Sequence, residues 1–152
     1  MVQTDLSQDQ VEELFVQKFV LQDRRERSLF ELRSLKKRRK FFDKIYDKSI
    51  LDERNIIVLG DEFKSKFQST MLVKLLTDQK IKEKCYLMSA VTELDRVYVS
   101  VNDGVDRFLQ CYFGTVLVCG ENLALVHGEK ANAHSPFWLL AKNKKLPPVP
   151  TS

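Results

Sequence analysis

The chain has 152 residues, a formal net charge of +4 and 43% hydrophobic residues. That length predicts one domain, and that composition a packed core rather than a disordered polymer. No apolar run approaches the roughly 18 residues that span a bilayer as a helix, and the opening residues MVQTDLSQDQ lack the charged and apolar regions of a secretory leader. The three cysteines, Cys85, Cys111 and Cys119, fit no zinc spacing. They read as small buried hydrophobes in a reducing compartment, so the expected location is cytoplasmic.

Residues 8–22 are predicted to form an amphipathic helix. Ser7 and Gln10 supply an S-x-x-Q capping box, and Val11, Leu14, Phe15 and Phe19 recur at helical spacing. A second helix is predicted over 29–47, opened by a capping box of Ser28 and Glu31. Its stripe of Leu32, Leu35, Phe42 and Tyr46 points about 140° away from the first. One straight rod cannot bury both against one core, so two helices or one sharply bent helix is expected; a straight rod is the competing option, since no Gly or Pro interrupts residues 1–59.

After Asp52 the period changes. Residues 55–60 (NIIVLG) read as a strand, and 66–77 as a helix capped by Ser65 with Phe67, Met71, Leu72 and Leu75 inward. Residues 84–91 and 96–101 read as strands. A short helix to residue 112 follows, capped by Asn102 or Asp103. Residues 115–119 and 123–127 form a hairpin across Gly120-Glu121-Asn122, and 135–142 the last strand. Residues 143–152 (NKKLPPVPTS) form a basic, proline-rich tail expected to be flexible. The fold class is therefore α+β over residues 1–142. N-terminal helices cover one face of a mostly antiparallel sheet of five or six strands, with room for one parallel pair and with two shorter helices inserted.

Charge is unevenly spread. Residues 24–48 hold eleven Lys/Arg against four Asp/Glu, a net of +7, so the remainder sums to −3. On an ideal helix counted from Ser28, Arg33, Lys36, Lys37, Lys40 and Lys44 fall within about 80° to 180°, opposite an apolar stripe near 330°. Like charges at i,i+4 cost a few tenths of a kcal/mol each, so such a ridge either is a solvated face or exerts its field on an acidic partner. Arg39 projects at about 20°, inside the stripe, and calls for a structural ion pair, with Asp43 at i+4 the nearest carboxylate, or for a bound anion.

Other chemistry is sparse. His127, His134 and Glu129 admit a metal or acid–base reading, but metal sites want three or four convergent ligands. Asn102, Asp103 and Asp106 lack the spacing of a calcium loop and suit a helix N-terminus instead. Single glycines at 60, 114, 120 and 128 form no phosphate-cradling loop. No cofactor or metal is called for.

The order of elements resembles that of small α+β interaction proteins such as toxin-neutralising immunity proteins. That resemblance implies an inhibitor-like role. The leading expectation is a non-enzymatic interaction domain that docks a charged partner, an acidic protein surface first, through Arg33, Lys36, Lys37, Lys40 and Lys44. One alternative is a nucleic-acid binder using the same helix. The other is a small hydrolase using His127, His134 and Glu129.

Overall fold

The computed structural model describes residues 7–60, 63, 67–79, 81, 84–110, 114–129 and 136–145. Three helices come first: α1 (Gln8–Phe19), α2 (Arg25–Arg33) and α3 (Arg38–Tyr46). Strand β1 (Ile56–Val58), helix α4 (Gln68–Thr77), strands β2 (Lys84–Met88) and β3 (Val97–Ser100), helix α5 (Val101–Leu109) and strands β4 (Val116–Gly120), β5 (Leu123–His127) and β6 (Phe137–Ala141) follow. The fold is α+β. Among the described residues six strands form one sheet in the order β1-β6-β5-β4-β2-β3, and every pair is antiparallel, with no parallel pair of the kind the sequence allowed.

Side-chain alternation divides the sheet into two faces. Tyr86, Met88, Val116, Ala124, Val126, Trp138 and Leu140 point at the N-terminal helices, meeting Phe15, Phe19, Phe41, Phe42 and Ile45. Cys85, Leu87, Leu117, Cys119, Leu125 and Leu139 point the other way, at Leu72, Leu76, Val105 and Phe108 of α4 and α5. Both faces are therefore covered, whereas the sequence reading covered only one. This explains the unbroken apolar run of β6 (FWLLA), which a sheet wet on one side would not carry.

The N-terminal region forms three helices where two or a single bent one were expected. Ser7 caps α1 as predicted, accepting from the Gln10 backbone N–H at 3.2 Å while Gln10 returns a side-chain acceptor. Val20 then turns extended and bridges to Leu51, which ends α1. The next helix starts at Arg25, ahead of the anticipated cap. Ser28 lies inside it, its hydroxyl donating to the Arg24 carbonyl at 2.8 Å. Ser34 is extended, and the turn of residues 35–37 resets the phase before α3. The buried positions of α3 are Arg38, Phe41, Phe42 and Ile45. On an unbroken helix these would centre about 80° from the stripe of Ser28, Glu31 and Leu32, so the break lets both stripes face the sheet.

Smaller differences are local. Helix α5 is capped by Ser100, whose hydroxyl accepts from the Asp103 N–H at 3.2 Å, rather than by Asn102 or Asp103. Phe67 lies outward and Leu76 inward on α4. Asn143 donates its N–H to the Asn55 side chain at 2.7 Å, so ordered backbone reaches past β6. Ser65, Cys111, His134 and the proline-rich residues 146–152 lie outside the described residues.

Candidate partner-binding surface

The five cations of the expected ridge do not share one helix. Arg33 ends α2, Lys36 and Lys37 lie in the turn, and Lys40 and Lys44 sit on α3. Two of them meet the chain's own carboxylates. Lys44 Nζ donates to both oxygens of the buried Glu31 at 3.0 and 2.9 Å, fastening α3 to α2. Arg33 reaches Glu13 of α1 at 3.4 Å on an exposed surface. The ammonium of Lys37 lies 4.8 Å from the centroid of the Phe30 ring, and Arg27 approaches the same ring at 5.1 Å. Among the described residues, Lys36 and Lys40 are exposed and make no ion pair.

Apolar surface lies among these charges. Leu35 is 93% exposed and Phe30 50% exposed. Beside Phe30 is an open groove of about 360 Å³ lined by Glu26, Leu29, Phe30, Arg33 and Ser34, and Leu35 follows Ser34 in the chain. A turn ordinarily takes Gly, Asn, Asp or Ser, which satisfy local backbone groups. A leucine there stabilises nothing in the chain itself. An exposed apolar centre within a polar, cationic rim is the anatomy of a protein-binding patch.

The arginine that enters the apolar stripe is Arg38; its neighbour Arg39 is exposed. The turn at 35–37 shifts the phase by enough to exchange them. All five guanidinium N–H groups of Arg38 are used. Nε donates to Asp95 at 2.6 Å, Nη1 to Glu12 and the Leu32 carbonyl at 2.9 Å each, and Nη2 to Glu12 at 2.5 Å and Asp95 at 2.9 Å. Tyr86 OH donates to Glu12 at 2.7 Å, and Arg96 adds a contact to Glu12 at 3.7 Å and a hydrogen bond to Asp9 at 2.8 Å. Burial alone would lower the Arg38 pKa. The hydrogen bonds to Glu12 and Asp95 outweigh it and hold the value above normal. Burial, then the bond to Glu12, pushes the Tyr86 phenol upward. With every donor of Arg38 satisfied, the network has no valence left for an anion on that residue. Its role is to tie α1, α3 and the β2–β3 turn together.

No protein-family model, curated protein or solved structure matches the chain.

The other candidate groups are dispersed. His127 packs against Phe108 and Phe137, with ring centroids 6.0 and 5.4 Å away, and its Nδ1 is buried without a hydrogen-bond partner. Glu129 is exposed, and its N–H donates to the Tyr46 carbonyl. Among the described residues no group of three or more His, Cys, Asp and Glu side chains is placed to hold a metal ion, and no helix is long and apolar enough to cross a membrane. Cys85 and Cys119 are buried and free. The hydrogen bond with Cys85 and complete burial both push the Cys119 thiol above its ordinary value, away from the reactive thiolate. Of the four carboxylates in residues 93–106, Asp95 serves Arg38, Asp103 pairs with Arg107 at 3.2 Å, and Asp106 accepts from Ser69 at 3.0 Å.

The position of His127 has a measurable consequence. Burial lowers its pKa below the ordinary 6.5. The unfolded chain then binds the proton more readily than the folded one. The contribution of His127 is fully present above about pH 6.5 and is lost as pH falls through the folded value. Thermal unfolding from pH 7.5 down to 5 should show a steeper loss of Tm for the native chain than for His127→Gln. Parallel curves would mean that His127 is not the group responsible.

The buried network left a trace in the sequence. Glu12 lies between Val11 and Phe15 on the inward stripe of α1, and Arg38 opens the 38/41/42/45 repeat of α3. One lone charge of opposite sign on each of two apolar stripes is the signature of a buried pair. It was obscured by counting α3 in the phase of α2. A helix continuous through 29–47 would likewise set Leu35 on the apolar stripe, whereas the turn at 35–37 leaves it exposed.

Proposed function

We propose that this chain is a non-enzymatic interaction domain that docks an acidic protein partner through the cationic surface of α2, the 35–37 turn and α3. The observation that carries the reading is Lys36 and Lys40, exposed and without ion pairs among the described residues, with the 93% exposed Leu35 next to Lys36 in the chain. Lys44 and Arg33 belong to the scaffold through Glu31 and Glu13. Free charges at a rim chiefly set association rate and salt dependence. An inhibitor-like role fits the same geometry, with the domain laid over an acidic face of its target.

The test compares Lys36→Glu/Lys40→Glu with the native chain for binding to a Glu-rich peptide and to duplex DNA. The native chain should bind the peptide at 50 mM salt and weaken as salt rises, and the double reversal should remove most of that binding. Peptide binding indifferent to the reversal refutes the proposal. Duplex binding instead, with a log–log salt slope near −0.9 per phosphate contacted, replaces it with the nucleic-acid alternative.

A further inference from the structure

We infer that the groove beside Phe30, together with Leu35, takes one large apolar side chain from an acidic partner segment, so that the site reads an apolar anchor flanked by carboxylates. The inference rests on the docking proposal and adds what the partner must offer besides charge.

Three features point to it. Among the described residues five large hydrophobic side chains are exposed, and Phe30 and Leu35 are the pair set on one helix–turn unit. The groove at Phe30 has an apolar floor supplied by Leu29 and Phe30, opens to solvent, and has Ser34, the neighbour of Leu35, in its lining. Around it stand cations only partly compensated: Arg27 and Lys37 against the Phe30 ring, Arg33 at the lining, Lys36 next to Leu35 and Lys40 one turn on. Glu26 is the one carboxylate in the lining.

Charge complementarity selects the occupant. A purely acidic segment would satisfy the lysines yet leave the apolar floor wet. A purely apolar segment would bury the lysines without counter-charges, which is costly. A segment with an apolar anchor between Glu or Asp residues satisfies both, the anchor acting as a hot spot and the rim excluding water. The stack of Arg27 and Lys37 on Phe30 also holds the ring as a preformed wall, which lowers the ordering cost on binding.

The experiment uses the full chain labelled with ¹⁵N and two Glu-rich helical peptides of equal charge. One carries leucines on a single face, and the other carries serines at those positions. The leucine peptide should bind about tenfold tighter or more and shift amide signals of residues 29–37. Leu35→Ser should reduce its affinity to that of the serine peptide while leaving the serine peptide unaffected. Phe30→Ser should do the same, and Lys36→Glu/Lys40→Glu should weaken both peptides. Equal affinities for the two peptides, with both weakened by the charge reversal, would overturn the anchor and leave the acidic docking surface standing. Charge reversal without effect on either peptide would remove the docking proposal and the anchor with it. A leucine preference that survives Leu35→Ser and Phe30→Ser places the anchor elsewhere and overturns the inference. So does a dimer of the native chain that Leu35→Ser disperses, since a second copy would then be the occupant. Duplex DNA that binds at the same amides assigns Phe30 to base stacking and overturns it as well.

Discussion

Arg38→Leu should lower the free energy of unfolding by about 3–5 kcal/mol, the cost of breaking a buried ion pair by removing one partner. The buried Glu12 would keep only the Tyr86 hydroxyl and the more distant Arg96, the part-buried Asp95 would lose its guanidinium, and the Leu32 carbonyl would lose a donor. Arg38→Lys should recover only part of the loss. A single ammonium offers three donors from one point, whereas the guanidinium fork serves two carboxylates and a carbonyl in fixed directions. Arg39→Ala, one residue away on the exposed side, should cost no more than about 1 kcal/mol, the range of an exposed polar interaction. Urea midpoints of the three variants test the series. Equal effects at positions 38 and 39, or a loss under about 1 kcal/mol for Arg38→Leu, would show that the network does not hold the helices to the sheet.

That contrast marks what the sequence made legible. Periodicity found nearly every element, because each buries one stripe or one face and the apolar spacing records which. It located the strands of the β4–β5 hairpin within a residue, where Gly120-Glu121-Asn122 punctuates two apolar runs. It also favoured a break within residues 8–47 over one straight rod, because the two apolar stripes do not line up. What it could not give was the place of the break. Residues 33–38 contain no Gly or Pro, and Ser34 ends α2 through its own extended backbone rather than through a distinctive residue type. A break of unknown position leaves every later angle uncertain. That is why Arg39 stood in for Arg38, and why Leu35 was counted as core. The second covering layer was missed for a different reason. Helices α4 and α5 are short and were read as insertions, although the two-sided burial of β5 and β6 requires apolar partners on both faces. The cationic composition of the docking surface was visible at once. Its division into scaffold and free charges was not, because Glu13 and Glu31 become partners only through the packing of α1, α2 and α3.

The glycines carry the same lesson to the other end of the candidate surface, since α3 is held in place partly by one of them. Gly114 has φ of +66°, a conformation that an L side chain adopts at a cost of about 1–2 kcal/mol. A Cβ built there would also press against the carbonyl oxygen of Phe42, a backbone atom of α3 that cannot swing aside. Gly114→Ala should therefore combine conformational strain with overpacking, itself worth about 1–3 kcal/mol, for a total of about 2–5 kcal/mol. Gly120 is the control. A Cβ there meets nothing within 4 Å, and its φ is not positive. Gly120→Ala should change the unfolding free energy by less than about 1 kcal/mol in either direction. Denaturant titration of both variants makes the comparison. In the sequence the two glycines are alike, each alone at the end of an apolar run. They differ because the entry to β4 passes directly under α3, while at Gly120, half-buried at the end of β4, no atom lies within 4 Å of an added Cβ. If Gly114→Ala proves as mild as Gly120→Ala, α3 sits less tightly on the sheet than this contact requires, and the rigid presentation of Leu35, Lys36 and Lys40 fails with it.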